Sequence, residues 1–275
     1  MIPAEFDYRR ASTVDEAVGL LTQNGDDAKL LAGGHSLLPL MKLRLAAPAV
    51  LIDIGGLDDL SYVRGDGGEV RVGALTRHHD LATSDELREQ VPLLAHIAGQ
   101  IGDPQVRHRG TIGGSIAHGD PASDLPAALL ALRGTLVARG PGGEREIAAD
   151  DFFTGFLETA LAPDEVLTEI RVPATGAAAW GFQKFARRAQ DWAIVGVAAV
   201  LGNVSDPGVS LVNMAPTPLR ASGVEEALRG GASPADAAAR ADEGAEPSED
   251  LNASAEYRRH LARVLVRRAL ESTGT

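Results

Sequence analysis

The sequence predicts an α+β chain in two parts, on three observations. Short apolar runs suited to buried strands alternate with capped helical segments as far as residue 172. A small, turn-rich stretch, Pro173-Ala174-Thr175-Gly176-Ala177, then breaks the pattern. Beyond it, three strand-like segments precede a helical tail. At 275 residues the chain can bury one large core or two modest ones, and we expect a first domain over 1–175, with subdomains of about 1–55 and 56–175, and a second over 176–275.

In chain order, Thr13-Val14-Asp15-Glu16 has capping-box spacing, and Ala17, Val18, Leu20 and Leu21 give the helix an apolar face that Asn24-Gly25 ends. Ala28 to Ala32 is a short strand, Leu37 to Leu45 is apolar but too short to assign, and Val50 to Ile54 is a buried strand stopped by Gly55-Gly56. Val70 to Gly73 is another strand; Thr83-x-x-Glu86 caps a helix, a second helix runs from Pro92 to Gly102, and Asp103 to Arg109 is a loop. Pro126 opens an alanine- and leucine-rich helix that ends at Gly134. Leu136–Ala138 and Glu144–Ile147 flank Gly140-Pro141-Gly142-Gly143 as a hairpin. Phe152 to Leu161 reads as helix and Val166 to Val172 as strand. In the second part, Trp180–Ala186, Ala193–Leu201 and Val209–Met214 read as three strands. Ser233-Pro234 is an N-cap followed by proline at the first helical position, Gly244–Leu251 is an acidic linker, and Ala255–Leu270 is a periodic basic helix.

Composition narrows the chemistry. A net charge of −12 argues against nucleic acid or an anionic membrane as the main partner. The absence of cysteine excludes disulfides, thiolate nucleophiles and cysteine-ligated metal within this chain, so any redox chemistry belongs to an organic cofactor or to a partner's centre. The start has no basic segment followed by an apolar run, and no stretch reaches membrane-spanning length. The chain reads as cytoplasmic, with membrane association open to a complex that contains it.

Two glycine-pair loops are the most informative motifs: Ala32-Gly33-Gly34-His35-Ser36 and Thr111-Ile112-Gly113-Gly114-Ser115. Adjacent glycines admit φ > 0 and let a ligand reach main-chain N–H groups, while a serine adds a hydroxyl donor. One such loop is an ordinary turn; two suggest a diphosphate held from both sides. Neither follows the G-x-G-x-x-G fingerprint, and no Gly-Lys-Ser/Thr follows either.

The longer wording is specific. Ala32-Gly33-Gly34-His35-Ser36-Leu37-Leu38-Pro39-Leu40-Met41-Lys42 resembles the first FAD-binding signature of the flavoprotein subunits of molybdenum hydroxylases. Thr111 to Ser115 with Asp120-Pro121-Ala122-Ser123-Asp124-Leu125-Pro126 resembles the second. The resemblance covers the whole chain, including Ala215-Pro216-Thr217-Pro218. It implies a two-subdomain FAD-binding domain of the p-cresol methylhydroxylase type, then a small domain of three-stranded antiparallel sheet plus helices. Within the family, His35-Ser36-Leu37-Leu38-Pro39 and the compact length look most like the medium subunits of aerobic carbon monoxide dehydrogenase; subunits of xanthine, nicotine and aromatic-compound hydroxylases look similar.

By that resemblance, FAD is bound non-covalently. Its diphosphate would lie on backbone N–H groups of Ala32, Gly33, Gly34, His35 and Ser36 and of Thr111, Gly113, Gly114 and Ser115. Asp124 would accept from sugar or ribityl hydroxyls. Lys184 would sit near the isoalloxazine, Trp192 would cover part of the ring, and the strand around Leu167 would give apolar cover. From the residues alone, Asp124 is equally a helix N-cap, Lys184 a surface lysine and Trp192 a core aromatic. His78, His79 and His108 lack the cysteine or carboxylate set of a metal site, His35 matters through its backbone, and Arg107 and Arg109 flank the second loop. No metal site and no acid–base pair for substrate chemistry is apparent. The resemblance therefore implies substrate oxidation on a molybdenum-cofactor large subunit, electron delivery through a [2Fe–2S] small subunit, and a dimer of heterotrimers that passes electrons to quinone, NAD or oxygen. A standalone flavin oxidase is the competing reading.

Overall fold

The computed structural model describes residues 2–201 and 206–272, and the chain is α+β. The first unit is a small parallel sheet in the order β1-β3-β2, formed by β1 (Asp7–Arg10), β2 (Ala28–Leu31) and β3 (Val50–Asp53), with α1 (Val14–Asn24) joining β1 to β2. Thr13 caps α1 by accepting the Glu16 N–H at 3.1 Å, while the Glu16 carboxylate reaches back to the N–H of Ser12, one residue before the cap. Ala17, Val18 and Leu21 bury the helix against the sheet, and Gly25 ends it with φ +55°. Between β2 and β3, Leu37–Lys42 forms α2, so the unassigned apolar stretch is helical. The sequence does not reveal β1, because all four of its residues are exposed and carry no apolar alternation.

The second unit is a five-stranded antiparallel sheet in the order β4-β5-β10-β6-β7. It begins with the hairpin of β4 (Val63–Asp66) and β5 (Glu69–Gly73). A helical layer follows: α3 (His78–Thr83), α4 (Asp85–Gln90), α5 (Pro92–Gly99), α6 (Pro104–Arg107), α7 (Ile112–His118) and α8 (Asp124–Leu132). Ser84 rather than Thr83 caps α4, and the segment expected to be a loop contains the short α6, capped by Asp103. The hairpin of β6 (Thr135–Gly140) and β7 (Gly143–Ala148) turns where expected, with Gly140 opposite Gly143. The expected helix over Phe152 to Leu161 is instead the short α9 (Ala149–Phe152) followed by a tight hairpin of β8 (Phe153–Gly155) and β9 (Glu158–Thr159), turned by Leu157 at φ +58°. Phe152, Phe153, Phe156, Leu157 and Leu161 recur at helix-like intervals, yet Phe156 and Leu157 are exposed. β10 (Val166–Pro173) is the central strand; its pairing with β6 slips a register between Leu167 and Glu169, so Thr168 bulges.

The last unit is a four-stranded antiparallel sheet in the order β11-β12-β13-β14, from β11 (Trp180–Phe185), β12 (Val195–Val200), β13 (Gly208–Val212) and the two-residue β14 (Leu219–Arg220). The three expected strands thus gain a short fourth. Every residue of β12 is buried. Ala198 and Val200 join the core beneath α8, while Val195, Val197 and Ala199 join the core shared with the C-terminal helices, so the run is apolar without alternating. Those helices are α10 (Ser222–Arg229), α11 (Pro234–Ala238) and α12 (Ala255–Ser272). The acidic 244–251 segment is coil but tethered: Ala245 is buried, Glu246 donates its N–H to Met214, and Asp250 pairs with the buried Arg258 at 2.8 Å. Among the described residues, no helix is long and apolar enough to cross a membrane.

Candidate functional site

The parallel sheet delivers the first glycine loop from the end of β2, and the helical layer delivers the second at the N-terminus of α7. The two meet. A Cβ on Gly33 would collide with the Arg109 carbonyl oxygen and stand 2.8 Å from the Gly110 Cα, so the backbones are in contact and only glycine fits. Segments 76 residues apart in sequence (33 to 109) thus share one cleft edge.

The loops are built differently. Gly34 has φ +76°, the only positive φ among the four paired glycines. The N–H groups of Gly33, Gly34, His35 and Ser36 have no acceptor among the described residues, and Ser36 makes no side-chain cap to α2, so its hydroxyl is also free. Successive unpaired N–H groups ahead of a helix form a concave anion site. In the second loop most donors are already engaged. Ile112 N–H bonds Thr76 O at 3.0 Å, Gly113 N–H bonds Ala74 O at 2.8 Å, Gly114 N–H bonds Thr111 Oγ1 at 3.1 Å, and Ser115 N–H bonds Thr111 O at 3.1 Å. Ala74 is itself held by the bulged Thr168 carbonyl of β10 at 2.9 Å. The N–H groups of Gly113, Gly114 and Ser115, expected on the diphosphate, thus each have an acceptor within the chain. Within that loop, the Thr111 N–H and the Ser115 hydroxyl are what the described residues leave unpaired.

Asp124 and Lys184, sixty residues apart, come together: Lys184 Nζ on β11 lies 2.6 Å from Asp124 Oδ2 at the start of α8. Asp124 is 6% exposed and is the first helical residue; Ser123 occupies the cap position, so the capping alternative fails. Burial raises the proton affinity of the Asp124 carboxyl, and the Lys184 ammonium opposes that shift. Its other oxygen, Oδ1, is buried with no partner. An acceptor left orphaned in this way costs free energy unless a donor arrives, and a ligand hydroxyl is such a donor.

Other expected positions divide. Leu167 is buried in the main core next to the Thr168 bulge. Trp192 is 72% exposed on the loop between β11 and β12, so it is not a core aromatic. Arg107 donates to the carbonyls of Ile101 and Gly102, the His79 and His108 rings meet at a tilt with centroids 4.0 Å apart, and His35 is exposed. Among the described residues no three His, Asp or Glu side chains converge as metal ligands would. Sequence reasoning missed Gly110 and Ala74 and weighed His78 only as a metal ligand; the parts of all three depend on contacts between segments.

The donor set fits a dinucleotide: free N–H groups and hydroxyls for a diphosphate, an orphaned carboxylate oxygen for a sugar or ribityl hydroxyl, and a buried cation beside it. Comparison with known proteins agrees. Residues 4–175 match the family model described as the FAD binding domain in molybdopterin dehydrogenase, and residues 180–273 match the CO dehydrogenase flavoprotein C-terminal domain. The chain is similar to the carbon monoxide dehydrogenase medium chain of Hydrogenophaga pseudoflava, at 47% identity over 99% of this chain and 98% of that one. It is also similar to that of Afipia carboxidovorans, at 42% identity over 98% and 97%. In structure it resembles a chain of the H. pseudoflava carbon monoxide dehydrogenase lacking the Mo-pyranopterin moiety, with a TM-score of 0.96 over 99% of this chain and 98% of that one.

Proposed function

Since the chain belongs to the family of FAD-binding molybdopterin dehydrogenase flavoproteins, we propose that it takes electrons from the [2Fe–2S] clusters of a partner subunit and passes them to an external acceptor, in aerobic carbon monoxide oxidation. It is an oxidoreductase subunit with FAD as cofactor. The observation that carries the reading is the meeting of the two glycine loops, with free N–H groups on one side and the orphaned Asp124 oxygen close by in sequence on the other. FAD, when bound, supplies both one- and two-electron chemistry, so single electrons can be gathered into a pair.

The chain's own residues bind and orient. Gly33, Gly34, His35 and Ser36 offer donors to the diphosphate, with the N–H of Thr111 and the hydroxyl of Ser115 opposite. Asp124 accepts from a cofactor hydroxyl, and Lys184 holds a positive charge where negative charge develops on reduction. Trp192, exposed in this chain, covers the flavin ring, and Leu167 supports the floor from within the core. Residues 1–175 form the FAD-binding domain and 176–275 the C-terminal domain. The partners are a molybdenum-cofactor large subunit and a [2Fe–2S] small subunit in a dimer of heterotrimers, located in the cytoplasm; quinone, NAD or oxygen accepts the electrons.

The test is a visible spectrum of the purified complex, followed by heat release and then addition of carbon monoxide to intact complex. Flavin bands, free FAD in the supernatant and bleaching by carbon monoxide are expected. Bleaching of the isolated chain by an alcohol or amine would instead establish a standalone oxidase.

A further inference from the structure

His78 is a buried titratable group that the proposed function does not use. It opens α3 and is 5% exposed. Its N–H donates to the Gly110 carbonyl at 3.0 Å, as part of a short bridge between Arg77 and Thr111. Its ring lies against the same residue: a Cβ on Gly110 would stand 2.8 Å from both Cδ2 and Nε2 of the imidazole. Gly110 also touches Gly33, whose added Cβ would be 2.8 Å from the Gly110 Cα. The imidazole and Gly33 therefore both pack on Gly110, and Gly33 belongs to the loop with the free N–H groups.

Among the described residues no hydrogen bond holds the ring. Nδ1 is buried and bonded to nothing among the described residues. Burial first, then the charges of His35 and Arg107, push its pKa down to about 4, so the ring is neutral at physiological pH. The other histidines nearby in sequence are engaged elsewhere, His79 on His108 and His96 on Trp180.

We propose that His78 is a positioning residue of the two-loop site: its ring props Gly110 against Gly33 and so sets the separation of the loops that receive the FAD diphosphate. The proposal rests on the FAD reading above. Thickness, not polarity, is the property required. Phenylalanine keeps the thickness and loses the nitrogens, whereas asparagine keeps a polar group and loses the ring.

The experiment uses the assembled complex stripped of flavin, with FAD binding followed by the change in its fluorescence from pH 5.5 to 8. The wild-type titration tests the FAD reading separately: without FAD uptake there, that reading falls and His78 is not at issue. With uptake, His78→Asn is expected to raise the FAD Kd about tenfold. His78→Phe should keep it within about threefold of wild type, with a pH profile parallel to wild type. A reversed order, Asn retained and Phe lost, would overturn the proposal in favour of a polar role. A wild-type affinity that tightens on acidification while that of His78→Phe does not would also overturn it, because binding would then be linked to a proton on this ring. If the asparagine variant does not fold, the phenylalanine variant decides: a tenfold loss there refutes the prop.

Discussion

The two glycine loops share a wording, Gly-Gly followed within two residues by serine, but they use it for opposite ends. In the first, Gly34 needs glycine for its φ of +76°, and the backbone leaves its N–H groups unspent. In the second, neither Gly113 nor Gly114 has a positive φ; there glycine is needed for room, since a Cβ on Gly113 would sit 2.6 Å from both the Cβ and the carbonyl oxygen of Ala74. Its N–H groups are spent on Thr76, Ala74 and Thr111, tying it through Ala74 to the bulge in β10. One loop leaves its donors open; the other is held in place by its own hydrogen bonds. A repeated motif thus signals repeated glycine, not repeated chemistry, and the accounting of N–H groups tells the two uses apart.

The largest effect should come from the fixed side. Lys184→Met leaves the Asp124 carboxylate buried without a counter-charge, which is expected to cost about 3–5 kcal/mol. Burial then raises the folded-state proton affinity of Asp124 unopposed. The folded protein binds this proton more tightly than the unfolded chain does, so the stability of the variant should fall as pH rises. Denaturant unfolding at pH 5 and pH 8 measures this; equal losses at both would mean that Asp124 is not desolvated as described. Gly113→Val is next. Its side chain meets backbone that cannot move aside, and a loss of about 3 kcal/mol is expected, with loss of FAD following from a disturbed α7.

Gly34→Val sharpens the contrast because its loss should be functional before it is structural. An added Cβ meets chiefly the flexible Leu38 side chain, at 2.9 Å, and the left-handed backbone adds strain of about 1–2 kcal/mol. The variant should fold yet retain no FAD. Full occupancy would remove the first loop from the site.

Some of this was legible in the residues. Helix caps such as Thr13 and Ser233 act where their spacing placed them, because a cap is a local arrangement within four residues. The hairpin of β6 and β7 was legible for the same reason, its turn lying in four consecutive residues. β1 was not, since all four of its residues are exposed without apolar alternation and its partner strand β3 lies far along the chain. The segment from Phe152 was misread because aromatic spacing imitates a helix, while the turn at Leu157 is set by pairing. In the site, both loops were visible as glycine pairs. Asp124 and Lys184 came only from resemblance to a family, and nothing local announces that β11 lays one on the other. Gly110, Ala74 and His78 carry no motif; their meaning is in which backbone they touch.

The smallest effects are the most discriminating, because they ask what each loop still offers. Ser36 is one donor among several, with the N–H groups of residues 33–36 unpaired around it. Removing its hydroxyl in Ser36→Ala should weaken FAD binding only about threefold, as neighbouring N–H groups retain the anion. Ser115 has no such company: apart from the Thr111 N–H, its hydroxyl is what the second loop leaves unpaired among the described residues. Ser115→Ala should therefore cost more, about tenfold, in keeping with one hydrogen bond to a charged group. Neither change should move the unfolding midpoint of the flavin-free protein, since neither hydroxyl bonds to any other described residue. A Ser36→Ala loss equal to or larger than that of Ser115→Ala would mean that the first loop's backbone donors do not hold the diphosphate, and the division of labour between the loops would have to be redrawn.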